Sequence, residues 1–232
     1  MSYVFLVDAD DTILDFHGVS EEALRASFAE VGLAWKEEYL STYKKVNAGL
    51  WEMLERREIS RAALMNERFP RYLKTLGITE VSGEEMNAVY IRYLSTKPKY
   101  FSGAQEFLAE LRKLGKIYVV TNGTKAIQES RFKILNLQAE VEDIFISETA
   151  GFDKPAKGYT DYVIANIDDF VAEKAVWIGD SLSADIKAAN DAGICSIWFN
   201  PRRQSRTGEI VPDYEATNFN EILEILKRIV DK

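Results

Sequence analysis

Five short runs of apolar residues punctuate the chain: YVFLVDA at 3–9, IYVVTN at 117–122, DIFIS at 143–147, AVWIGD at 175–180 and ICSIWFN at 194–200. They are rich in Val, Ile and Phe and lack the polar alternation of a half-exposed strand, which predicts a parallel sheet covered on both faces. Helical patterns fall at 103–114, 125–135, 156–167 and 183–192. Strand and helix alternation of this kind predicts right-handed crossovers in a doubly wound, Rossmann-like α/β core. Gly115 and Gly193 stand where two of these helices should stop, and Ser102 to Gln105 has the spacing of a cap ahead of the helix 103–114.

Residues 17–96 behave differently. They carry no comparable apolar run; instead SEEALRASFAEVG and SRAALMNERFPRYLKTLG repeat apolar positions at helical spacing, and Ser82 and Glu85 are spaced as a capping box. The pattern predicts an inserted α-helical domain, 17–96, that leaves an α/β core of 1–16 and 97–232 after the first strand and returns near Lys97-Pro98. No internal repeat or low-complexity segment is evident.

With 232 residues, 47% hydrophobic and 28% charged, the chain has the length for one α/β domain plus an insert and the composition of an ordinary soluble globule. A net charge of −8, with no Lys/Arg run interleaved with aromatics, argues against a nucleic-acid polymer as partner and leaves room for a small anion at a local site. The single cysteine, Cys195, excludes an intramolecular disulfide framework and a Cys-rich zinc site, as suits a reducing compartment. Asp8 breaks the first apolar run and no later stretch reaches the length of a membrane span, so the expected location is cytoplasmic, without a membrane partner.

Ligands of parallel α/β sheets bind outside the carboxyl ends of the strands. Asp8 and Asp10 close the first strand, Thr121-Asn122-Gly123 closes the second, Lys154 follows the third in SETAGFDKP, and Asp180-Ser181 closes the fourth, with Asp185 one helical turn further. Converging carboxylates repel unless a cation sits among them, and an oxygen-only donor set suits Mg²⁺ together with a substrate phosphate oxygen and waters. Lys154 adds a mobile positive charge, while the Thr121 hydroxyl and the main-chain N–H groups of Asn122 and Gly123 offer donors to an anion. The set therefore points to a phosphoryl group beside Mg²⁺. No Cys or His occurs at these strand ends, so a carboxylate is the expected nucleophile, with Asp8 attacking phosphorus to give an aspartyl-phosphate. Asp10, where the strand breaks into a turn, would protonate the leaving alcohol and later activate water.

In order and spacing, DADDTIL (8–14), VVTNG (119–123), Lys154-Pro155 and IGDSLSADI (178–186) resemble the four motifs of the haloacid dehalogenase superfamily of phosphotransferases. The resemblance implies that Asp8 is nucleophile and Mg²⁺ ligand, that Asp10 is the acid/base and binds Mg²⁺ through its main-chain carbonyl, and that Asp180 is the remaining protein ligand. It further implies that Thr121 and Lys154 hold the phosphoryl group, that Asp185 supports the metal site through water or Lys154, and that the insert is a helical cap. A narrower resemblance, carried by VNAGLWEMLERREIS (46–60), ISETAGFDKP (146–155) and the tail from WFNPRR to VPDYEATNFNEILEIL, is to bacterial pyrimidine 5′-nucleotidases acting on deoxyuridine, thymidine and nonstandard pyrimidine monophosphates.

The expected activity is thus a Mg²⁺-dependent phosphomonoesterase acting on a small phosphate ester, a pyrimidine nucleoside 5′-monophosphate. The alternatives are a phosphoglycolate or sugar-phosphate phosphatase, and a phosphomutase. Metal-free dehalogenation is disfavoured by Asp10, and a non-enzymatic binding role by the intact charged set, which would be costly to keep together without a ligand. Asn47 and Trp51, one helical turn apart, are candidate contacts to a base, with packing and capping as the ordinary alternative. Asp11 is read as incidental, His17 as a surface hinge residue and Cys195 as a small core residue.

Overall fold

The computed structural model describes residues 2–206 and 208–230. The chain divides into two compact units, one of residues up to Phe16 together with those from Pro98 onward, the other of His17–Lys97.

The smaller unit holds α1 (Phe16–Glu30), α2 (Glu38–Glu55), α3 (Arg61–Leu76) and α4 (Gly83–Thr96). Ser60 and Ser82 cap α3 and α4, their hydroxyls accepting from the main-chain N–H of Ala63 and Glu85. Gly77, in the left-handed conformation, ends α3. The interior is aromatic: Tyr43 and Tyr72 meet edge to face at 5.3 Å, and Phe69 and Tyr90 at 5.1 Å. Such pairs add roughly 0.5–1.5 kcal/mol each beyond their burial. Pro70 inside α3 is accommodated at Gly83, where a Cβ would come within 2.4 Å of the pyrrolidine ring.

The larger unit is a six-stranded sheet of β1 (Tyr3–Val7), β2 (Gly115–Thr121), β3 (Asp143–Ile146), β4 (Ala175–Gly179), β5 (Cys195–Phe199) and β6 (Tyr214–Ala216). The strands run parallel in the order β3-β2-β1-β4-β5-β6. Around it lie α5 (Ala104–Leu114), α6 (Lys125–Leu135), α7 (Ser147–Ala150), α8 (Lys157–Ala165), α9 (Lys187–Asp191) and α10 (Phe219–Val230). Side chains alternate across each strand, so the continuous apolar runs feed two cores. Phe5, Val7, Val119, Val176 and Ile178 pack with Phe107, Phe132 and Ile222 on one face; Val4, Leu6, Tyr118, Val120 and Trp177 pack with Tyr159, Val163 and Ala188 on the other. This is the doubly wound α/β architecture, and each of the five expected strands is present.

Two local expectations need correction. The sheet has a sixth strand, β6, whose three residues carry no apolar run. Ser102 does not cap α5: the N-cap is Gly103, in the left-handed conformation with φ 83° and no side-chain hydrogen bond. Gly115 ends α5 and also opens β2, where a Cβ would lie 2.4 Å from the Tyr3 carbonyl oxygen. Gly193, at φ 66°, follows α9 as expected of a terminating glycine. Among the described residues no helix is long and apolar enough to cross a membrane.

Because β2 and β3 lie on one side of β1 and β4 to β6 on the other, the sheet order reverses at β1. Such a switch point opens a crevice at the carboxyl ends of the strands. Asp8 follows β1 there, flanked by Thr121 at the end of β2 and Asp180 at the end of β4.

Candidate active site

Asp8 is fixed by its own backbone, since its N–H donates to the Ile178 carbonyl at 2.8 Å, extending the β1/β4 pairing by one residue. The Thr12 hydroxyl donates to its Oδ2 at 3.3 Å. Its Oδ1 accepts from Lys154 Nζ at 2.6 Å, and the same ammonium donates to Asp185 Oδ1 at 2.6 Å and to the Val120 carbonyl at 2.9 Å. All three hydrogens of the Lys154 ammonium therefore have acceptors, and the residue is buried. The mobile charge expected from the sequence is instead a fixed strut between β1 and the turn after β4. Its loop is set by Asn122, whose side-chain amide donates to the Lys154 carbonyl at 2.9 Å and accepts from its N–H at 2.7 Å.

Asp185 owes its position to a π-helical turn, Leu182–Ile186, capped by the Ser181 hydroxyl accepting from the Ala184 N–H. The wider turn carries the carboxylate back over the end of β4, where Oδ2 accepts from the Ser181 N–H at 3.2 Å and Oδ1 from the Trp177 indole at 3.3 Å. Gly179 makes the space, for a Cβ there would fall 2.3 Å from the Asp185 carboxyl carbon.

Thr121 closes β2 with its hydroxyl oxygen accepting from the Gly123 N–H at 3.2 Å and from Gln128 Nε2 at 3.0 Å. Two accepted bonds leave the hydroxyl hydrogen to donate outward, as binding a phosphoryl oxygen requires. Gly123 thus spends its N–H on orienting Thr121, a different use from the anion contact expected of it. Asp10, 26% exposed at its side chain, is held from α6, with Gln128 Nε2 donating to Oδ2 at 2.8 Å and Arg131 lying 2.7 Å from Oδ1.

Asp8, Asp180 and Asp185 each present a carboxylate oxygen within 4.8 Å of the others. Burial, and then the neighbouring carboxylates, push Asp8 up to about 8 against the pull of Lys154, and push Asp180 well above the usual carboxylate range. Burial alone would lower the Lys154 pKa; Asp185 and Asp8 outweigh it and hold the ammonium charged. Two buried carboxylates and a half-buried third crowd around one ammonium. The crowding that holds protons on Asp8 and Asp180 would be relieved by a cation, and the hard oxygen donors fit a Mg²⁺ ion.

Asp11, which the sequence suggested was incidental, has a role in the loop. It adopts φ 60°, which Asp tolerates better than most residues, and its N–H donates to the Leu14 carbonyl at 2.7 Å. Its buried carboxylate pairs with Arg202 at 3.3 Å and so ties the loop after β1 to the segment after β5. Gln128 and Arg131 were also missed. Gln128, Arg131, Phe132 and Leu135 share one helical face of α6, and a core-facing stripe containing Gln and Arg is the signal that could have revealed them.

In the helical unit, Asn47 and Trp51 lie one turn apart on α2. Trp51 packs against the Leu50, Leu54 and Leu64 cluster, with the Arg61 guanidinium 5.5 Å above its ring, which is a packing role. Asn47 Oδ1 is buried with no hydrogen-bond partner. His17 opens the helical unit at the junction with the larger one, and Cys195 opens β5 half-buried, its thiol raised to about 11 by burial and then by Asp213.

This fold, with carboxylates after β1 and β4, a hydroxyl after β2 and a buried lysine after β3, defines a class. Residues 4–193 match the model of the haloacid dehalogenase-like hydrolase family, and the chain belongs to that family. It is 35% identical over 235 residues to the pyrimidine 5′-nucleotidase PynA of Streptococcus pneumoniae, covering 100% of this chain and 99% of that one. It is 25% identical to the pyrimidine 5′-nucleotidase YjjG of Escherichia coli, with 94% and 95% covered. The magnesium-bound crystal structure of YfnB from Bacillus subtilis superposes with a TM-score of 0.90 at 36% identity, covering 97% of this chain and 98% of that one.

Proposed function

We propose that this hydrolase is a Mg²⁺-dependent phosphomonoesterase that works through an aspartyl-phosphate on Asp8 and acts on pyrimidine nucleoside 5′-monophosphates. The observation that carries the mechanism is the Asp8, Asp180 and Asp185 cluster gathered around a Lys154 that has no hydrogen left to donate. The substrate class is supported by the likeness to PynA and YjjG over nearly the whole chain.

Asp8, Asp180 and the Asp10 main-chain carbonyl would hold the metal, which when bound supplies charge neutralisation between the nucleophile and the phosphoryl oxygens. The chain's own residues do the rest. Asp8 forms a bond to phosphorus as the bond from phosphorus to the ester oxygen breaks, and Asp10 gives its proton to that oxygen. Asp10 then takes a proton from water as the water oxygen attacks phosphorus. The Asp8 carboxylate leaves, and inorganic phosphate is released. Thr121 donates its hydroxyl hydrogen to a phosphoryl oxygen, while Lys154 keeps Asp8 aimed and partly neutralised. Asn47, with its unpartnered carbonyl oxygen, is the candidate of the helical unit for reading the base.

The test is phosphate release, with Mg²⁺ and with chelator, from thymidine and deoxyuridine monophosphates, purine monophosphates, phosphoglycolate and hexose phosphates. The proposal expects Mg²⁺-dependent release, fastest from the pyrimidine nucleotides. Release only from sugar phosphates would discard the nucleotidase reading and keep the mechanism; no release from any ester would discard both.

A further inference from the structure

We propose that Gln128 and Arg131 are positioning residues for the acid/base Asp10, a pair on α6 that sets where its carboxylate meets the leaving oxygen. The inference rests on the phosphomonoesterase reading above, in which Asp10 donates and then recovers a proton.

Both side chains are buried, 1% exposed each, on the stripe of α6 that should be apolar. Gln128 Nε2 donates to two groups at once, Asp10 Oδ2 at 2.8 Å and Thr121 Oγ1 at 3.0 Å. It thereby ties the acid to the hydroxyl assigned to the phosphoryl group, so the two keep a common spacing. Arg131 fixes Gln128 in turn, its terminal nitrogen donating to Gln128 Oε1 at 2.8 Å while lying 2.7 Å from Asp10 Oδ1. Asp10 Oδ2 is thus held by a hydrogen bond, while Oδ1, buried and with no hydrogen-bond partner, is held by its ion pair with Arg131 alone, and the side chain as a whole stays 26% exposed. The room for this arrangement comes from Gly123, where a Cβ would fall 2.2 Å from Gln128 Nε2.

Packing alone does not account for the arginine. A buried guanidinium carries a desolvation cost of several kcal/mol, and here its Nε and its second terminal nitrogen have no hydrogen-bond partner to offset it. Its guanidinium carbon lies 5.8 Å from the centroid of the Phe16 ring, a modest return. Among the described residues its ion-pair partner is Asp10. What the arrangement achieves is orientation. A general acid works only within hydrogen-bond reach of its target, and a misplacement of about 1 Å costs about 10²-fold in rate.

The role is distinguished from a structural one by the leaving group. An alkoxide needs the proton from Asp10 to depart, whereas a nitrophenolate leaves without it. Arg131→Met, Arg131→Lys and Gln128→Leu are compared with the wild type in single-turnover formation of the phosphoenzyme. The substrates are thymidine 5′-monophosphate, or the alkyl phosphate the wild type turns over fastest, and 4-nitrophenyl phosphate. Affinity for inorganic phosphate is measured by calorimetry, and folding by thermal melts. The expected result for the Arg131 variants is a loss of about 10²-fold with the alkyl ester and of less than about threefold with the nitrophenyl ester, with phosphate affinity unchanged and Arg131→Lys recovering part of the rate. Gln128→Leu, which also releases Thr121, should weaken phosphate binding and still lose far more rate on the alkyl than on the nitrophenyl ester. Equal losses on the two esters in the folded variants, or no loss on either, overturn the assignment. If Arg131→Met does not fold, Gln128→Leu and Arg131→Lys decide it by the same ratio. A wild type inactive on every ester overturns the phosphomonoesterase reading itself, an outcome visible before any variant is made.

Discussion

Lys154 Nζ stands 2.6 Å from Asp8 Oδ1 and 2.6 Å from Asp185 Oδ1, so one buried ammonium bridges two carboxylates that come from separate strand ends. Asp8 is thus held by a cation 146 positions away in sequence, which is itself braced by Asp185, 31 positions beyond that cation.

Replacing Lys154 by Met should be costly in both stability and rate. Removing one member of a buried ion pair leaves the others uncompensated, at about 3–5 kcal/mol, so a large drop in the chemical denaturation midpoint is expected in chelator, along with loss of phosphate release. A variant with a wild-type midpoint would show that the strut contributes nothing to the fold.

Asp8→Asn should abolish turnover by at least about 10³-fold while the protein remains folded. The amide oxygen still accepts from Lys154, and one of three mutually repelling carboxylates is gone. Phosphate release and a thermal melt check this; turnover near the wild-type rate would remove Asp8 from the nucleophile's role.

The metal-free protein should lose stability as pH rises. Asp8 titrates at about 8 in the folded chain against 3.8 for an ordinary aspartate, chiefly through burial, so the folded state keeps a proton that the unfolded state has released. The stabilisation from that group is complete below about pH 4 and is lost as pH climbs to about 8. Asp185 and Asp10 reinforce the shift and Lys154 opposes it, and Asp180 is itself raised by burial and then by Asp8. Mg²⁺ competes with the same proton, so its stabilising effect should be larger at pH 8 than at pH 5.5. Melts in Mg²⁺ and in chelator across this range test it, and a Mg²⁺ effect that shrinks with rising pH contradicts the assignment.

Gly179→Ala should displace Asp185, since the added methyl would sit 2.3 Å from its carboxyl carbon, and that carboxylate is buried and held by Lys154, Trp177 and Ser181. Overpacking of this kind costs about 1–3 kcal/mol, and the disturbed Lys154 should lower kcat more than it raises KM. Steady-state kinetics with a melt would show it; unchanged kcat would mean that Asp185 is not needed to hold the lysine.

Much of the site was legible because its motifs lie at strand ends, and a continuous apolar run followed by Asp, Thr or Gly-Asp announces such an end without any knowledge of neighbours. Asp8, Thr121 and Asp180 were visible this way. Gln128 and Arg131 were not, because they lie inside a helix and their polarity resembles that of a solvated face until α6 is docked. β6 escaped for the converse reason: YEA has one buried residue, and only pairing with Ile197–Phe199 makes it a strand.

The sequence by itself determined the alternation of strands and helices, the helical insertion after β1, and the family, because periodicity and motif order are local properties of the chain. Only the tertiary structure decided that Lys154 is a saturated strut and that Asp10 answers to α6, that Asp11 latches onto Arg202, and that a π-turn swings Asp185 over Gly179. Each of these is a distance between residues remote in sequence, and such distances are set by how the strands order themselves in the sheet.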